Sequence, residues 1–396
     1  MSRGRDGEQG LACPWHCVGP NTPDPFRRAI LFPLLAILIL VSACVSQTRL
    51  SFRSDPPEKP GGVQLAGYTP PSDPLDLKVA PGAPWTSHDV LELCRPKPCG
   101  ALPEPGPDAT AFISRAPGAK RWIIVVPIWG SSTYPPRKIV RWLLAGEEGR
   151  GTNVLWIHGK ANLIRYQVWK DAPNETEFRA AVVRSGQCID ATVEDVRGFL
   201  DWIVARPDTD PKRIGIVGFS IGGLVASLVM GRDPRVSAGA LVMVGGHPSQ
   251  ILATCGGHEL DARQKVMERF GWNLDRYTRE VETQLGPVDP VSVAGNIDPA
   301  SVLYIDAGRD ACMPLSSRED LWHAMGEPER ITVGYGHRKS FLSMTILGFD
   351  LTTRSIVRFL DDRLAALPKM ETPERASQGA GSSSSGAAGG SAPHPN

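Results

Sequence analysis

The sequence predicts one large domain of the α/β class, with a mostly parallel sheet, helices on both of its faces and a short helical insertion. The first indication is the alternation of apolar runs of strand length with amphipathic stretches of helix length between about residues 118 and 366. A parallel sheet that is covered on both faces requires this order. The second indication is length, since residues 111–370 are enough for one domain with a well-buried core.

Each element is recognised by its length and its hydrophobic period. The predicted strands are 122–127, 153–157, 213–218, 238–244, 301–305 and 330–333. The predicted helices are 137–145, 189–205, 221–230, 316–325 and 352–366. In the second of these helices, Val196, Phe199 and Ile203 recur at helical spacing, so we expect this face to pack on the sheet.

Three further segments lack this alternation of predicted strands and helices. Residues 44–110 are predicted to form a proline-rich tether and an irregular N-terminal segment, because 13 of the 36 prolines lie between positions 51 and 110. Residues 371–396 contain no Leu, Ile, Val or aromatic residue and are predicted to be a disordered, low-complexity tail. Residues 250–290 are charged and helical in period, which indicates an insertion lying over the sheet's edge.

The composition excludes several classes of protein. The chain has 43 basic and 42 acidic residues, so its net charge of +1 gives no electrostatic reason to expect a nucleic acid partner. Its 41% hydrophobic content and 21% charged content are ordinary for a globular domain and exclude disordered and collagen-like chains. A multi-span membrane protein is excluded because only one apolar run has a length worth considering.

That run, residues 29–43, predicts export. It follows a pair of arginines, is 15 residues long and ends in small residues before Cys44, as secretory signals do. Its Val-Ser-Ala-Cys ending resembles a bacterial lipoprotein signal, which implies removal of residues 1–43 and lipidation of Cys44; the alternative is an uncleaved signal anchor. Either way the remaining chain is expected in the cell envelope, outside the cytoplasm. In such lipoproteins an Asp after the cysteine favours retention in the inner membrane. This chain has Val45 at that position, so the resemblance favours the outer membrane.

Cysteine usage agrees with export. Cys94 and Cys99 lie in the short loop CRPKPC and are predicted to be able to form a disulfide in an oxidising compartment. A metal site at this pair is not expected, because no histidine or second cysteine pair follows at ligand spacing. A disulfide between Cys188 and Cys255 is also compatible with the sequence, and the alternative is two buried free thiols.

The strongest chemical signal is Gly-Phe-Ser-Ile-Gly-Gly, centred on Ser220. It joins a predicted strand ending at Gly218 to a predicted helix beginning at Ile221, so Ser220 is expected in a strained turn with its hydroxyl above the sheet. Gly218 and Gly222 are needed because a side chain there would collide with the neighbouring strand and helix. The Ile221 N–H at the helix N-terminus is expected to bind a developing oxyanion.

A serine hydroxyl needs a base, and the base needs an orienting acid. In chain order the acid precedes the histidine, each on a loop after a strand. Asp310 lies past Gly308 in the loop after the predicted strand 301–305, whereas Asp306 still belongs to the end of that strand and is expected to be structural. His337 is on the glycine-containing loop after the last predicted strand and is the candidate base.

From about residue 120 to 366 the chain resembles the α/β-hydrolase superfamily, in particular its dienelactone-hydrolase and prolyl-oligopeptidase-like branches. The segment DVRGFLDWIVARPDTDPKRIGIVGFSIGG, residues 195–223, carries the resemblance with its helix, Asp-Pro turn and serine turn in order. The pattern G-x-D-x-x-M-P at 308–314 and the Gly-His pair at 336–337 match the superfamily's acid and base positions.

The resemblance implies Ser220 as nucleophile, His337 as base and Asp310 as orienting acid. One departure concerns the second oxyanion N–H. The superfamily often has His-Gly after its third strand, whereas this chain has Pro-Ile-Trp-Gly, so the N–H is predicted near Trp129 and Gly130.

The expected function is an exported serine hydrolase that cleaves carboxylic esters through an acyl-enzyme, and the ester preference rests on the resemblance alone. The alternatives are a peptidase of the same fold and a non-catalytic surface lipoprotein that uses the fold as a binding scaffold. The expected partners are a small ester or short peptide as substrate and a membrane through the N-terminal lipid or anchor. No cofactor and no metal are expected, because the sequence contains no nucleotide-binding or metal-ligand motif.

Overall fold

A computed structural model of the chain describes the predicted domain and several shorter N-terminal pieces. The described residues are 48–49, 76–80, 89–94, 109–116, 118–128, 139–140, 142–143, 152–159, 163–337, 339–341 and 351–365. The predicted signal segment 1–43, Cys44, Cys99 and the tail 371–396 lie outside the described residues. Among the residues that are described, no helix is both long and apolar enough to cross a membrane.

The centre of the fold is a sheet that contains ten strands of the described residues. They are β1 (Thr48–Arg49), β2 (Asp76–Ala80), β3 (Asp89–Cys94), β4 (Ala109–Ser114), β5 (Arg121–Val126), β6 (Thr152–Gly159), β7 (Ile214–Phe219), β8 (Ala238–Val242), β9 (Val302–Ala307) and β10 (Glu329–Val333). Their order in the sheet is β1-β10-β9-β8-β7-β5-β6-β4-β3-β2.

Six neighbouring strands, β5 to β10, are parallel, whereas β1 to β4 pair in antiparallel fashion at the two ends of the sheet. All six predicted strands are present within one to two residues of their expected bounds. The carboxyl ends of the parallel strands share one edge, which brings the loops after β7, β9 and β10 together.

Helices connect the strands and flank the sheet. The helices with described bounds are α1 (Tyr166–Asp171), α2 (Glu175–Val204), α3 (Ile221–Arg232), α4 (Pro248–Thr254), α5 (His258–Phe270), α6 (Leu274–Leu285), α7 (Val291–Ala294), α8 (Leu315–Ala324) and α9 (Leu351–Arg363). Along β5, Ile124 packs in a cluster with residues of α2 and α3, whereas Ile123 and Val125 pack in a second cluster with residues of α9. Both faces of the sheet are therefore covered, and the predicted α/β class is confirmed.

The long helix α2 begins earlier than the sequence indicates. A helix was expected over 189–205, but the structure extends it over Glu175–Val204. It begins at Asn174, whose side chain accepts a hydrogen bond from a backbone N–H of the first turn. The early half packs on the helices that follow β8, where Phe178 meets Trp272 edge to face with ring centroids 5.5 Å apart. The apolar residues in the early half of α2 therefore pack on the helices that follow β8, whereas those in the later half pack in the cluster with β5.

The N-terminal segment is more regular than the sequence indicates. Residues 44–110 were expected to be irregular, yet β1, β2 and β3 lie within this range, and β4 begins in it and joins β3 to β6. The physical reason is that the prolines of this range fall outside these four strands, so none of them removes an N–H from a strand pair.

Helices α4, α5 and α6 occupy the region of the predicted insertion. The sequence indicates a position over the sheet's edge, whereas in the structure α4 shares a cavity with Ser220, which follows the central strand β7. Helix α6 packs against α2 and α4, and α5 packs against α1. The insertion therefore covers the carboxyl end of the sheet.

Candidate active site

Ser220 occupies the turn between β7 and α3. Its backbone has φ 52° and ψ −118°, a conformation that a residue with a Cβ adopts only under strain. The turn is held by the hydrogen bond from the Ser220 N–H to the Val242 carbonyl, 2.8 Å, and by that from the Leu224 N–H to the Ser220 carbonyl, 3.1 Å. The predicted strained turn is therefore present, and it presents Ser220 at the end of the sheet.

The two glycines beside this turn allow close backbone contact. A Cβ on Gly218 would lie 2.6 Å from the Ala226 Cβ in α3, and a Cβ on Gly222 would lie 2.6 Å from the Val126 carbonyl at the end of β5. Both distances are shorter than real Cβ contacts. Any larger residue would push α3 away from the sheet, as the sequence predicts.

The structure brings Ser220, His337 and Asp310 together. Ser220 Oγ lies 3.1 Å from His337 Nε2, and His337 Nδ1 lies 2.7 Å from Asp310 Oδ2. These residues are 117 and 27 positions apart in the sequence, on the loops after β7, β10 and β9. A hydroxyl bonded to an imidazole that is itself oriented by a carboxylate is an arrangement that activates a serine for attack.

Asp310 is held by hydrogen bonds from its own loop. Asp310 Oδ1 accepts them from the N–H groups of Cys312, 2.8 Å, and Met313, 2.9 Å. Burial acts to raise the pKa of Asp310, but the hydrogen bond and charge of His337 together with these two N–H groups outweigh it and hold the pKa below its ordinary value. The carboxylate is therefore kept ionised and in a fixed orientation toward His337.

Asp306, the other acid of this region, has a structural environment. Its side chain is fully buried and Oδ2 accepts hydrogen bonds from Arg318, 2.7 Å, and Arg330, 2.5 Å. Two guanidinium groups thus neutralise a carboxylate at the end of β9, below the loop that carries Asp310. This agrees with the structural role expected for Asp306.

The predicted oxyanion site is described in part. Ile221 is the first residue of α3, so its N–H has no partner within the helix and is available at the helix N-terminus. Trp129 and Gly130 lie outside the described residues, but Ile128 precedes them and lines the same cavity as Ser220. The end of β5 therefore approaches the serine turn from the side where the second donor is predicted.

A cavity of about 300 Å³ opens beside Ser220. Its walls come from Ile128, from α3, from the residues just before α1, from the insertion helices and from the Asp310 loop. Leu163, Ile189 and Leu285 are lining residues that belong to no motif of the sequence. Each belongs to an apolar pattern that predicts burial, and nothing in such a pattern separates a cavity wall from the core.

The structure changes the predicted cysteine pairing. Cys255 and Cys312 form a disulfide, with the sulfur atoms 1.99 Å apart. Both alternatives considered for Cys188 and Cys255, a disulfide between them or two free thiols, are therefore wrong, because Cys255 just after α4 is bonded to the Asp310 loop. Cys188 is disulfide-bonded as well. Cys94 ends β3, and its predicted partner Cys99 lies outside the described residues.

Within the described part of the chain, no group of three or more His, Cys, Asp or Glu side chains is arranged to hold a metal ion. Ser220, His337 and Asp310 lie in hydrogen-bond order beside an apolar cavity, an arrangement that can provide a nucleophile, a proton acceptor and an orienting acid.

The sheet order and a match to a family model identify the chain as a serine hydrolase with the α/β-hydrolase fold. The sequence model of the prolyl oligopeptidase family matches residues 175–314, from the start of α2 to the end of the Asp310 loop. The predicted resemblance to the α/β-hydrolase superfamily is thereby confirmed.

Several solved structures are similar to the chain. An acetyl xylan esterase from Paenibacillus sp. R4 is 18% identical, with a TM-score of 0.49 over 74% of this chain and 90% of that one. An esterase from Pyrococcus furiosus is 16% identical, with a TM-score of 0.42 over 75% and 95%. The acylaminoacyl peptidase of Pyrococcus horikoshii is 16% identical, with a TM-score of 0.40 over 65% and 38%. No curated protein sequence matches the chain.

Proposed function

We propose that the chain is an exported serine hydrolase that cleaves carboxylic esters through an acyl-enzyme on Ser220. His337 acts as the general base and Asp310 as the orienting acid. The observation that supports this proposal most strongly is the continuous hydrogen-bond chain from Ser220 through His337 to Asp310, at 3.1 and 2.7 Å, on a strained turn beside a cavity.

The reaction follows from these positions. Ser220 Oγ attacks the ester carbonyl carbon while its proton passes to His337 Nε2, and the Nδ1–H donates to Asp310. The oxygen that becomes negatively charged is stabilised by the Ile221 N–H and by a second donor, for which Trp129 and Gly130 are the candidates. His337 then gives the proton to the departing alcohol. A water molecule, activated by the same imidazole, hydrolyses the acyl-enzyme and releases the carboxylic acid.

The scaffold alternative is weakened by the same distances. A fold retained only for binding has no physical need to keep a serine, a histidine and an aspartate within hydrogen-bond distance across 117 residues. A peptidase of the same fold is the second candidate, and the match of residues 175–314 to the prolyl oligopeptidase family favours it. The esterase and the peptidase differ in the bond that is cleaved. The peptidase cleaves an amide, which has a poorer leaving group than an ester.

The proposal of a serine hydrolase that cleaves esters is tested with a fluorophosphonate probe and with short p-nitrophenyl esters. Wild-type protein is expected to be labelled at Ser220 and to hydrolyse the esters. Ser220→Ala should lose labelling and about 10⁴-fold or more of the turnover. Ser316→Ala is the matched control, since Ser316 lies on α8 and bonds Gln250 at 2.9 Å, and it should behave as wild type.

Three results would change the assignment. Folded wild-type protein that resists the probe would remove the hydrolase proposal and favour the scaffold. Labelling without ester turnover would remove the ester substrate. Aminoacyl-naphthylamides assayed beside the esters separate the remaining candidates, since their faster turnover would establish the peptidase.

The proposed location is the outer membrane, with the mature chain beginning at a lipidated Cys44. Besides the signal-like residues 29–43, the disulfide of Cys255 with Cys312 supports export, because disulfides persist in oxidising compartments. Cys44→Ser should abolish incorporation of labelled fatty acid and leave ester hydrolysis unchanged. A membrane-bound product that retains residues 29–43 would establish the signal anchor instead.

A further inference from the structure

The walls of the cavity beside Ser220 are mainly hydrocarbon. Twelve of its nineteen lining residues are Ile, Leu, Val, Met or Pro. They include Leu224 on α3, Ile251 and Leu252 on α4, and Leu285 on α6. Since insertion helices supply much of this wall, the cavity is a feature of this chain's own insertion as well as of its sheet. An apolar wall of this kind favours apolar ligand groups.

The charges at the cavity favour a neutral ligand. No Lys or Arg is among the described lining residues, and the ionisable side chains there are Tyr166, His258 and Glu259. The Tyr166 hydroxyl donates a hydrogen bond to Glu259 Oε1 at 3.1 Å. Among the described lining residues, a carboxylate on the ligand would therefore meet Glu259 and no Lys or Arg, which disfavours an anionic ligand.

The position of the cavity relative to His337 indicates which part of a substrate it receives. The leaving group must be within hydrogen-bond distance of His337 Nε2 to take up its proton. His337 is not among the lining residues, whereas Ile221 and Leu224, on the first turn of α3, are. The cavity therefore extends from the oxyanion side of Ser220, away from the departing alcohol or amine.

We infer that this cavity binds the acyl portion of the substrate and selects a neutral, apolar acyl group that is larger than acetyl. The inference rests on the proposed function, since it names the substrate class of the same site. Its size agrees, because a cavity of about 150 Å³ with Leu, Ile and Phe walls holds benzene, and this cavity has about twice that volume.

The experiment compares p-nitrophenyl acetate with p-nitrophenyl octanoate. Wild-type protein is expected to show a kcat/KM about tenfold or more higher for octanoate. Ile251→Trp, which fills the cavity from a half-buried position, should lower the kcat/KM for octanoate about tenfold more than the kcat/KM for acetate. Leu274→Trp is the control, because Leu274 is 43% exposed on α6 and outside the cavity.

Two further pairs of substrates fix the assignment. Methyl octanoate should be cleaved faster than octyl acetate, and p-nitrophenyl octanoate faster than the p-nitrophenyl half-ester of a dicarboxylic acid of similar length. The inference is overturned if acetate is preferred, if the chain-length preference follows the alcohol, if the anionic half-ester is accepted equally, or if Ile251→Trp lowers both values alike.

Failure of the ester proposal is distinguishable from failure of the cavity assignment. If no ester is hydrolysed, the labelling rates of Ser220 by octyl and methyl fluorophosphonates are compared, because the phosphorus substituent occupies the acyl position. Faster labelling by the octyl probe, lost in Ile251→Trp, would support the cavity while the ester substrate is abandoned. Equal rates, or no labelling, would overturn the cavity assignment.

Discussion

At the scale of single residues, Arg318 ties together both ends of the loop that carries Asp310. Its Nη1 donates to Asp306 Oδ2 at 2.7 Å and to the Ala307 carbonyl at 3.0 Å, and its Nε donates to the Met313 carbonyl at 3.2 Å. The side chain is buried, and the two carbonyls lie on either side of Asp310. Arg318 is therefore a positioning residue for the acid of the proposed triad.

Arg318→Lys should lower kcat for ester hydrolysis about tenfold or more, with a smaller change in KM. A single ammonium group cannot reach the three acceptors that the planar guanidinium spans, so Asp310 would hold His337 less well. The measurement is steady-state kinetics together with the labelling rate of Ser220, which should fall in parallel with kcat.

Arg330→Lys is the matched control for this effect. Arg330 donates to the same Asp306 carboxylate and to Glu319, but makes no described hydrogen bond to a carbonyl of the Asp310 loop. Both variants should lower the free energy of unfolding, because each weakens a buried ion pair. Only Arg318→Lys should lower kcat strongly; equal losses in the two variants would contradict the positioning role.

At the scale of elements, Asp233 joins α2 to the end of α3. It follows the last residue of α3, is 1% exposed, and accepts hydrogen bonds from Arg197 of α2 at 3.3 Å and from the Arg235 side chain at 2.5 and 2.8 Å. Burial acts to raise the pKa of Asp233, but the hydrogen bonds and charge of Arg235 and the hydrogen bond of Arg197 outweigh it and lower the pKa below 3.8.

Asp233→Asn should lower the free energy of unfolding at pH 7 by about 1–3 kcal/mol. The folded-state pKa lies below the unfolded-state pKa, so the stabilisation by the carboxylate is complete above the unfolded value near 3.8 and is lost as the pH falls through the folded value. The difference between wild type and variant should therefore shrink below about pH 4, as measured by urea unfolding at several pH values.

A surface ion pair supplies the comparison for Asp233. Asp190 pairs with Arg232 at 2.5 Å, but its side chain is 51% exposed. Asp190→Asn should change the free energy of unfolding by less than about 0.5 kcal/mol, since exposed pairs contribute little. A difference between wild type and Asp233→Asn that stays constant down to pH 3 would contradict the assigned pKa direction.

At the scale of the whole molecule, the disulfide of Cys255 with Cys312 connects the insertion to the Asp310 loop. Cys255 follows the last residue of α4, and Cys312, 57 positions later in the sequence, lies two residues after Asp310. A further hydrogen bond runs from Thr254 Oγ1 to the Cys312 carbonyl at 3.1 Å, and the Cys312 N–H donates to Asp310. The cavity wall and the loop that carries the proposed acid are therefore covalently linked.

The double variant Cys255→Ser with Cys312→Ser should lose about 2–5 kcal/mol of unfolding free energy and should also lower kcat, because the Asp310 loop gains freedom. Thermal unfolding and ester kinetics measure the two effects. The double variant avoids the use of a reductant, which would also act on the disulfide of Cys188. Normal kcat in a destabilised protein would restrict the disulfide to a stabilising role.

Much of the proposed site was predictable because its determinants are local. Gly218 and Gly222 lie two residues on either side of Ser220, and the collisions that require glycine involve the strand and helix that the same segment forms. Asp310 and His337 each follow a parallel strand. Neighbouring parallel strands end at one edge of the sheet. The positions of Asp310 and His337 after two such strands were therefore enough to predict that they lie near Ser220.

The sequence by itself determined the α/β class, the six central strands and the three residues of the hydrogen-bond chain, since each depends on hydrophobic period or on residues close in the chain. Only the tertiary structure decided the pairing of Cys255 with Cys312, the early start of α2, the strands between the prolines and the walls of the cavity. An apolar residue such as Leu285 produces the same hydrophobic pattern in the sequence whether it fills the core or lines a pocket. Its role is set by packing against segments far away in the sequence.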